Sequence, residues 1–529
     1  MNMKKILISD SIDKKCSSIL QSYGYEVTYK PGMTPDQIKS EIGNYNGLIV
    51  RSETKVNAEI ISRMEEMEII GRAGTGVDNI DVNTATRRGI IVMNTPGGNT
   101  ISAAEHTMAL MLSMCRNIPQ ANISLKEAKW ERKKFQGTEL FGKTLGIIGL
   151  GKIGREVAAR SKSFGMKIIG YDPLFSDEAA SKIGIELFDL DTLFAQADII
   201  SLHVPLSTET KHLISAETLR KCKNGVKIIN CARGGIVNEN DLIAALDSGK
   251  VSAAAIDVFE KEPPDFSQRI FEHPKMICTP HLGASTEEAQ EKVAIQIAEQ
   301  MHNFFEHKKM YGVVNASGLE AISKKEILPF VALAESIGKI YAQMIRNPLK
   351  QININYCGSL LHLSASLLSA SLLKGLLSKL LTENINFINS PVLAKEMGIK
   401  INETKSDENL NYTNLLSVEF LSDKEKRFFA GTVFGNNEIR IVKIDDYLLE
   451  VKPEGNLLLY SNIDKPGMIA AVGKKLSEAK INIAGLSLGR LEAGKEALTV
   501  INVDHQIEEN ALDQISKIEG VHNVYSVQI

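Results

Sequence analysis

Three polar residues, Arg233, Glu262 and His281, each follow a short apolar run of the chain, and their types suit acid–base chemistry on a carboxylic acid. An arginine followed by two glycines leaves room to bind a carboxylate. Histidine is the usual acid or base for a hydroxyl proton, and a carboxylate partner fixes its tautomer. If the three apolar runs are strands of one parallel sheet, their carboxyl ends open on the same crevice. The sequence therefore predicts that these three side chains converge.

The stretch "AIDVFEKEPP" around Glu262 holds two further acids, and they have different predicted roles. Asp257 lies at the end of a strand and faces the predicted crevice. Glu260 is followed by a lysine, which is typical of a solvated charge on a turn. Only Glu262, held in an extended backbone by the proline after it, is expected to present its carboxylate to His281.

A glycine motif precedes these residues in "TLGIIGLGKIGREVAARSKSFGMKIIGYDP". Gly149, Gly151 and Gly154 follow one predicted strand and open a helix, and Asp172 ends the next strand. Glycines let the backbone approach a pyrophosphate, the helix start supplies N–H donors, and the carboxylate accepts the ribose 2′-hydroxyl. Asp172 would repel a 2′-phosphate, so the motif predicts NAD rather than NADP.

The elements that position these residues follow an α/β pattern from Lys4 to about residue 312, where β-branched runs alternate with helical stretches. A second, complete alternation starts at residue 144 and predicts six strands of a dinucleotide-binding sheet. One α/β domain is therefore predicted to be inserted in another. Long helices at 101–117 and 285–307 are predicted where the chain passes between the two domains. The predicted boundaries are 1–97 with 285–317 for the outer domain and 98–284 for the inner domain.

The rest of the chain changes character. Residues 318–452 offer no chemical motif, and their leucine-rich stretch, 359–381, contains a histidine and two lysines. Leu372, Leu376 and Leu380 fall at helical spacing, so a core-facing amphipathic helix is expected rather than a membrane span. Residues 453–529 are predicted to form strands and helices in the order βαββαβ, which is that of the ferredoxin-like fold.

Composition excludes several classes of protein. A chain of 529 residues is too long for one core. Its net charge of −3 gives no basic field for nucleic acid or an anionic membrane. Six cysteines without a CxxC pair indicate reduced thiols, hence a cytoplasmic protein with neither a disulfide framework nor a zinc site. No metal is expected in the site.

Six motifs together carry a family resemblance: "GRAGTGVDNID", "WERKKF", "GLGKIGREVA", "NCARGGIV", "DVFEKEPP" and "PHLGAST". The chain resembles the D-2-hydroxyacid dehydrogenase family, most closely the long-form branch that acts on 3-phosphoglycerate. That resemblance implies a Rossmann-type NAD domain inserted in a flavodoxin-like substrate domain. An α+β intervening domain and a ferredoxin-like ACT domain would follow.

The resemblance also implies roles for individual residues. The catalytic set would be Arg233, Glu262 and His281, of which Arg233 and His281 would also touch the cofactor. The remaining cofactor-binding residues would be Thr75, Gly149, Gly151, Lys152, Ile153, Gly154, Asp172, Val204, Pro205, Cys231, Ala232, Asp257, Gly283 and Ala284. Asp257 would lie near the nicotinamide amide. The substrate-binding residues would be Arg51, Ser52, Arg72, Gly74, Asn99, Arg132 and Lys133.

Two of these assignments have open alternatives. Arg132 and Lys133 would reach a substrate phosphate, in the same or a neighbouring subunit, or would be an exposed basic helix end. In the ACT domain, the residues Asn462, Asp464, Gly467 and Asn482 would bind an effector, L-serine, between paired domains. The other interpretation is an empty ACT fold that only mediates assembly.

The expected function is reversible NAD-dependent oxidation of 3-phosphoglycerate to 3-phosphohydroxypyruvate, in a dimeric or tetrameric homo-oligomer. One alternative is a dehydrogenase for another 2-hydroxy acid, such as glycerate or lactate. The second is an NAD-sensing corepressor that binds partners without turnover. A chain ending in an ACT-like domain disfavours the corepressor.

Overall fold

The computed structural model describes residues 3–316, 318–407, 411–435 and 437–529. The chain forms two compact units, Met1–Asn94 with Ile297–Ile529, and Thr95–Gln296. The end predicted for the outer domain, residue 317, lies outside the described residues. The four-domain division itself stays a prediction.

The first unit opens with a five-stranded parallel sheet. Its strands are β1 (Lys5–Ile8), β2 (Glu26–Tyr29), β3 (Gly47–Val50), β4 (Ile69–Arg72) and β5 (Ile91–Met93). Its helices are α1 (Lys15–Ser22), α2 (Pro35–Glu41), α3 (Ala58–Ser62) and α4 (Val82–Arg87), with a 3-10 turn at Ile42–Asn44. The strand order β2-β1-β3-β4-β5 is the flavodoxin-like order, which confirms that part of the predicted fold.

The second unit carries a seven-stranded parallel sheet. Its strands are β6 (Thr144–Ile148), β7 (Lys167–Tyr171), β8 (Glu186–Leu187), β9 (Ile199–Leu202), β10 (Val226–Asn230), β11 (Val251–Ile256) and β12 (Met276–Cys278). The order β12-β11-β10-β9-β6-β7-β8 reverses direction between β6 and β9, and a ligand crevice opens at such a switch point. The six predicted strands are present, and the two-residue strand β8 is an addition that was too short to predict.

Helices cover both faces of this sheet. They are α5 (Thr100–Arg116), α6 (Ile118–Lys126), α7 (Lys152–Ser163), α8 (Asp177–Lys182), α9 (Leu190–Gln196), α10 (Ala216–Lys221) and α11 (Glu239–Asp247), with 3-10 turns at Arg132–Phe135 and Arg269–Phe271. The next helix, α12 (Glu287–His307), continues the chain from the second unit into the first. The long helices predicted at 101–117 and 285–307 are therefore present as α5 and α12.

The part of the first unit that follows α12 contains a six-stranded mixed sheet of order β14-β13-β15-β16-β17-β18. These strands are β13 (Leu349–Cys357), β14 (Lys400–Ser406), β15 (Leu415–Ser422), β16 (Lys426–Phe434), β17 (Glu438–Ile444) and β18 (Tyr447–Val451). The helices are α13 (Leu328–Met344), α14 (Ser359–His362), α15 (Ala365–Leu377) and α16 (Ser390–Glu396), with 3-10 turns at Leu319–Ser323 and Lys325–Ile327.

Helix α15 is the predicted leucine-rich helix, and it packs closely on α13. A Cβ added to Gly338 would lie 2.1 Å from the Leu372 carbonyl oxygen, so only glycine permits this approach. Leu372 and Leu376 are buried as predicted, but Leu380 is 39% exposed because the helix ends at Leu377. Among the described residues, no helix combines the length and the apolar character that crossing a membrane requires.

The last part of the first unit is the predicted βαββαβ arrangement. Its elements are β19 (Asn456–Ile463), α17 (Met468–Glu478), β20 (Ile483–Arg490), β21 (Glu496–Val503), α18 (Glu509–Ser516) and β22 (Val521–Gln528). The antiparallel order β20-β21-β19-β22 confirms the ferredoxin-like prediction.

Candidate active site

The three glycines after β6 have different surroundings. Gly149 has φ +97°, and a Cβ there would lie 2.5 Å from the His203 carbonyl oxygen. A Cβ on Gly154 would lie 2.1 Å from the Gly149 carbonyl oxygen, whereas one on Gly151 would meet no atom within 4 Å. Gly151 also begins α7 without a side-chain cap. The N–H groups at this helix start therefore face open space, as an incoming pyrophosphate requires.

Asp172 lies directly after β7 and is bound to the same glycine loop. Its Oδ2 accepts a hydrogen bond from the Leu150 amide at 2.8 Å, and its Oδ1 accepts one from the Leu174 amide at 2.9 Å. Each oxygen keeps a second lone pair, so both can still accept from the ribose hydroxyls. The loop and Asp172 thus fit an NAD molecule. Of the neighbouring predicted residues, Lys152 donates to the Pro96 carbonyl at 3.4 Å and Ile153 packs against the core.

The loop that carries Val204 and Pro205 follows β9 and starts at a histidine that sequence reasoning missed. Burial lowers the pKa of His203 to about 4, so its ring is neutral near pH 7. The ring Nε2 lies 2.9 Å from the Ser201 hydroxyl, and the His203 backbone packs against Gly149. His203 therefore supports the cofactor loop as a structural residue. Its place beside a glycine-rich turn becomes visible only in three dimensions.

Arg233 stands on a tight turn after β10 that a buried asparagine holds together. The Asn230 side chain donates to the Arg233 carbonyl at 2.8 Å and accepts from the Ala232 amide at 3.0 Å. A Cβ on Gly234 would lie 1.7 Å from the Phe259 carbonyl oxygen, so the turn can approach the chain before Glu262 only because residue 234 is glycine. The Arg233 guanidinium donates to the Ala232 carbonyl at 2.7 Å. The turn after β10 therefore lies against the segment that carries Glu262.

Glu262 and His281 form the pair that was predicted. His281 Nδ1 lies 2.8 Å from Glu262 Oε2, and the Phe259 amide donates to Oε1 at 3.1 Å. Burial alone would raise the pKa of the Glu262 carboxyl, but the hydrogen bond and charge of His281 outweigh it and lower that pKa. The side chains are 39% and 46% exposed, so a substrate can reach them. Because Glu262 binds Nδ1, the other nitrogen of His281 is left for a substrate proton.

Asp257 directly follows β11, at the strand end where the sequence places it. Its side chain has no exposed surface, and it binds the loop that carries His281. The nicotinamide contact of Asp257 stays a prediction. Nearby, burial raises the pKa of the Cys231 thiol to about 12, so the thiol is unreactive and its predicted role is to line the cofactor site. Ala232 and Ala284 are partly buried.

Glu260 is exposed on the turn, as the sequence predicts, and its carboxylate also meets a partly exposed histidine. Its Oε1 lies 3.1 Å from His212 Nε2, and its amide donates to the Glu239 carboxylate at 2.8 Å. Burial and the nearby Glu260 charge raise the pKa of Glu239, although the amide of Glu260 opposes this. Glu260 thus ties the turn before Glu262 to two other loops.

The substrate residues predicted in the first unit lie on loops after β3 and β4. The buried carboxylate of Asp10 accepts hydrogen bonds from the Arg51 amide at 2.6 Å and the Thr54 amide at 3.1 Å. Sequence reasoning missed Asp10, although it closely follows β1. Arg72 donates through Nε to the Arg51 carbonyl at 3.1 Å and also binds the Gly76 carbonyl. Arg72 therefore organises the loop that presents Arg51.

The guanidinium of Arg51 makes no hydrogen bond or ion pair within the described part of the chain, so it is the better candidate for an anionic substrate group. Ser52 is exposed, Gly74 has φ +159°, and the Thr75 carbonyl accepts from Asn94. In the second unit, Asn99 is the residue before α5. Arg132 and Lys133 are exposed on a 3-10 turn, which fits both interpretations of that basic pair.

The predicted effector residues are engaged within their own domain. Asn462 is buried and binds the Ile463 carbonyl and the Thr499 hydroxyl, each at 3.0 Å. Asp464 forms an ion pair with Arg490 at 2.8 Å, which lowers its pKa. Gly467, with φ +91°, begins α17 and has open space around it. Asn482 donates to Asp504 at 3.0 Å. Only Asp464 and Gly467 share one loop.

Within the described ranges, no three His, Cys, Asp or Glu side chains lie close enough to hold a metal ion. The observed groups instead suit a nicotinamide cofactor, a proton carrier with its carboxylate, and an arginine for an acid.

Three family models match the chain. The NAD binding domain of D-isomer specific 2-hydroxyacid dehydrogenases matches residues 108–283. The D-3-phosphoglycerate dehydrogenase intervening domain matches residues 326–445, and the ACT domain matches residues 457–520. The matched ranges cover the glycine loop, the Arg233–Glu262–His281 set and most strands of the two C-terminal sheets.

Two curated relatives match over nearly their full length. A D-3-phosphoglycerate dehydrogenase of Archaeoglobus fulgidus is 42% identical over 99% of this chain and 100% of its own. One from Synechocystis sp. is 41% identical over 100% of this chain and 95% of its own. Among solved structures, a glyoxylate reductase from Paecilomyes thermophila is 29% identical with a TM-score of 0.55, over 59% of this chain and 99% of its own.

Proposed function

The chain belongs to the D-3-phosphoglycerate dehydrogenase family, and we propose that it oxidises 3-phospho-D-glycerate reversibly to 3-phosphohydroxypyruvate with NAD, the first step of L-serine biosynthesis. It is an NAD-dependent dehydrogenase of the D-2-hydroxyacid type. One observation carries the proposal: His281 Nδ1 lies 2.8 Å from the Glu262 carboxylate, in the unit that carries the glycine loop.

The chain's own residues supply the proton chemistry and the orientation. His281 takes the C2 hydroxyl proton through Nε2 and returns it in the reverse direction. Glu262 keeps the proton on Nδ1 and stabilises the imidazolium that forms, as the acid member of a triad does. Arg233 binds the C1 carboxylate and polarises the C2 oxygen. NAD, when bound, accepts the hydride from C2.

The cofactor specificity rests on Asp172 and the glycine loop. The open helix start of α7 would receive the pyrophosphate, while Asp172 would accept the ribose hydroxyls and repel a 2′-phosphate. Gly283 and the loop of Val204 and Pro205 are proposed to frame the nicotinamide half. These contacts are supported by the glycine geometry.

The substrate phosphate needs positive charge, and we assign Arg51 as its first partner. Its backbone is fixed by Asp10 and its carbonyl by Arg72, while its guanidinium keeps its donors. A bidentate guanidinium is the side chain best suited to phosphate. Ser52, Gly74, Asn99, Arg132 and Lys133 remain predicted contacts of the same substrate.

The regulation, assembly and location of the enzyme are further parts of the proposal. L-serine would bind between paired ACT domains, at the residues Asn462, Asp464, Gly467 and Asn482. We propose a cytoplasmic location, with which the reduced-thiol composition agrees, and assembly as a homotetramer or a dimer. The four-domain division with boundaries near 97, 285, 317 and 452 is supported by the three family-model ranges.

The decisive experiment follows NADH absorbance with 3-phosphohydroxypyruvate, and then with hydroxypyruvate, pyruvate and glyoxylate. We expect the phosphorylated acid to give the highest kcat/KM, and His281→Asn to abolish turnover. The matched control is His302→Asn, since His302 stacks on Tyr23 in the other unit. Absence of NADH oxidation by the native protein would refute the enzyme. Preference for an unphosphorylated acid would refute the substrate.

A further inference from the structure

The carboxylate of Asp257 is fully buried, and both of its oxygens accept hydrogen bonds. A buried carboxylate is unfavourable unless charged or polar groups compensate it. Here Oδ1 accepts from the Thr279 hydroxyl at 2.6 Å and the Leu282 amide at 2.8 Å, and Oδ2 accepts from the Gly283 amide at 2.9 Å. Asp257 is therefore bound to the segment that carries His281.

The main chain of Asp257 completes the arrangement. Its carbonyl accepts a hydrogen bond from the His281 amide at 2.9 Å, so the backbone amides of residues 281 to 283 all donate to this one aspartate. His281 itself has φ +56°, a region that residues other than glycine rarely adopt. Such a conformation persists only when the surroundings hold it. Asp257 thus fixes the backbone from which the His281 ring reaches Glu262.

A fourth group reaches Asp257 from a distant helix. His106, on α5, places Nε2 3.1 Å from Asp257 Oδ1 and 3.2 Å from the Thr279 hydroxyl oxygen. The Thr279 hydroxyl gives its proton to Asp257, so its oxygen accepts from His106. The proton of His106 is therefore assigned to Nε2, where it donates to both oxygens.

We infer that His106 is a positioning residue for the proton transfer, acting through Asp257 on the loop that carries His281. This inference rests on the proposed role of His281 as the acid and base. His106 compensates the buried carboxylate from helix α5, and the carboxylate in turn holds the loop. Removal of the donor leaves Asp257 short of a partner, so the amides of residues 281 to 283 are held less firmly. The His281 ring then samples positions away from Glu262.

The test compares two substitutions of His106 in the full-length protein. His106→Leu removes the hydrogen-bond donor to Asp257. His106→Gln keeps a donor, because the glutamine places an amide nitrogen near the position of Nε2. A misplaced proton carrier costs turnover, so His106→Leu should lower kcat about 10- to 100-fold. The KM for 3-phosphohydroxypyruvate and the Kd for NADH should change by less than about threefold, because the glycine loop, Asp172 and Arg51, which are proposed to hold most of the two ligands, are untouched. His106→Gln should recover most of the turnover.

A second readout separates positioning from general damage. If proton transfer becomes slower, chemistry limits turnover more strongly, and the isotope effect with NADH deuterated at the transferred position should rise in His106→Leu. The matched control is Glu105→Gln, the neighbouring residue on α5, whose side chain is 65% exposed. It should leave turnover and the isotope effect unchanged.

Three results would overturn the inference: full turnover in His106→Leu, equal losses in the Leu and Gln variants, or loss of NADH binding together with turnover. If His106→Leu does not fold, Thr279→Val replaces it, because it removes the other side-chain donor to Oδ1. Full turnover in Thr279→Val would then overturn the inference. Failure of the native protein to oxidise NADH would instead refute the proposed function.

Discussion

Glu262→Gln is the substitution whose effect the geometry predicts best. Both carboxylate oxygens of Glu262 accept a hydrogen bond, one from His281 and one from the Phe259 amide. A glutamine has one oxygen, so it can accept only one of the two. If its oxygen faces His281, its amide group opposes the Phe259 N–H. If its amide faces His281, the imidazole must carry its proton on Nε2, and it can no longer take one from the substrate.

The lost charge sets the magnitude. Two unit charges about 4 Å apart attract by about 4 kcal/mol at an effective dielectric constant of about 20. Glu262 and His281 are 39% and 46% exposed, so solvent screens the pair. We take about half of that energy, about 2 kcal/mol, as the loss of imidazolium stabilisation. At about 1.4 kcal/mol per tenfold change, kcat should fall about 30-fold, and more if the wrong tautomer dominates.

The assay measures kcat, KM and NADH binding for Glu262→Gln beside Glu260→Gln. The control removes the same charge from the same turn, but its carboxylate contacts His212 instead of His281. We expect the control to keep kcat within about threefold, because loss of an exposed ion pair costs little. A kcat within threefold of the native value in Glu262→Gln would refute the reasoning. Weakened NADH binding with kcat preserved at saturating NADH would reverse the assigned roles.

Three further predictions follow from named contacts. Asp172→Ala should raise the KM for NADH and improve the use of NADPH, which the ratio of kcat/KM values measures; an unchanged ratio would remove Asp172 from cofactor selection. Gly154→Ala should reduce NADH affinity and thermal stability, because its Cβ would lie 2.1 Å from the Gly149 carbonyl oxygen; native affinity and melting temperature would contradict the steric argument. Burial would raise the pKa of Glu335, but the hydrogen bonds from Lys374 and Lys339 lower it below its value in the unfolded chain. The ionised carboxylate therefore stabilises the folded protein fully above the unfolded-state pKa, and this contribution is lost as pH falls through the folded-state pKa. Glu335→Gln should therefore lower the melting temperature by a few degrees at pH 7 and much less below about pH 4; an equal difference at both would contradict the sign.

Local patterns predicted the parts of the site that depend on local structure. Gly149, Gly151 and Gly154 were found because a tight strand–helix turn restricts residue types within a few positions. Arg233 and His281 were proposed because residues beyond the carboxyl ends of parallel strands share one edge, and both follow such strands, β10 and β12. The βαββαβ order of the last sheet was read from periodicity in the same way. Each of these inferences needs only neighbouring residues and a rule of sheet geometry.

Residues that act across the fold could not be predicted in this way. His106 lies on a helix far from Asp257 in sequence, and a histidine among alanines in an apolar helix has no local feature that points to a carboxylate. Asp10 binds amides of a loop about 40 residues away, on another strand of its sheet. Glu260 is exposed as predicted, but its contact with His212 could not be predicted, because His212 belongs to a separate loop.

The three acids of residues 255–264 show why burial, rather than charge, decides their roles. Asp257 is fully buried, so its charge must be satisfied within the protein, and it acts on backbone conformation. Glu262 is 39% exposed, enough for a substrate to reach its partner and too little for solvent to remove their attraction. If the buried acid carried the proton chemistry instead, Asp257→Asn would abolish the pH dependence of kcat while Glu262→Gln preserved it. We expect the reverse, because Asp257 contacts His281 only through its backbone carbonyl, whereas Glu262 contacts the ring.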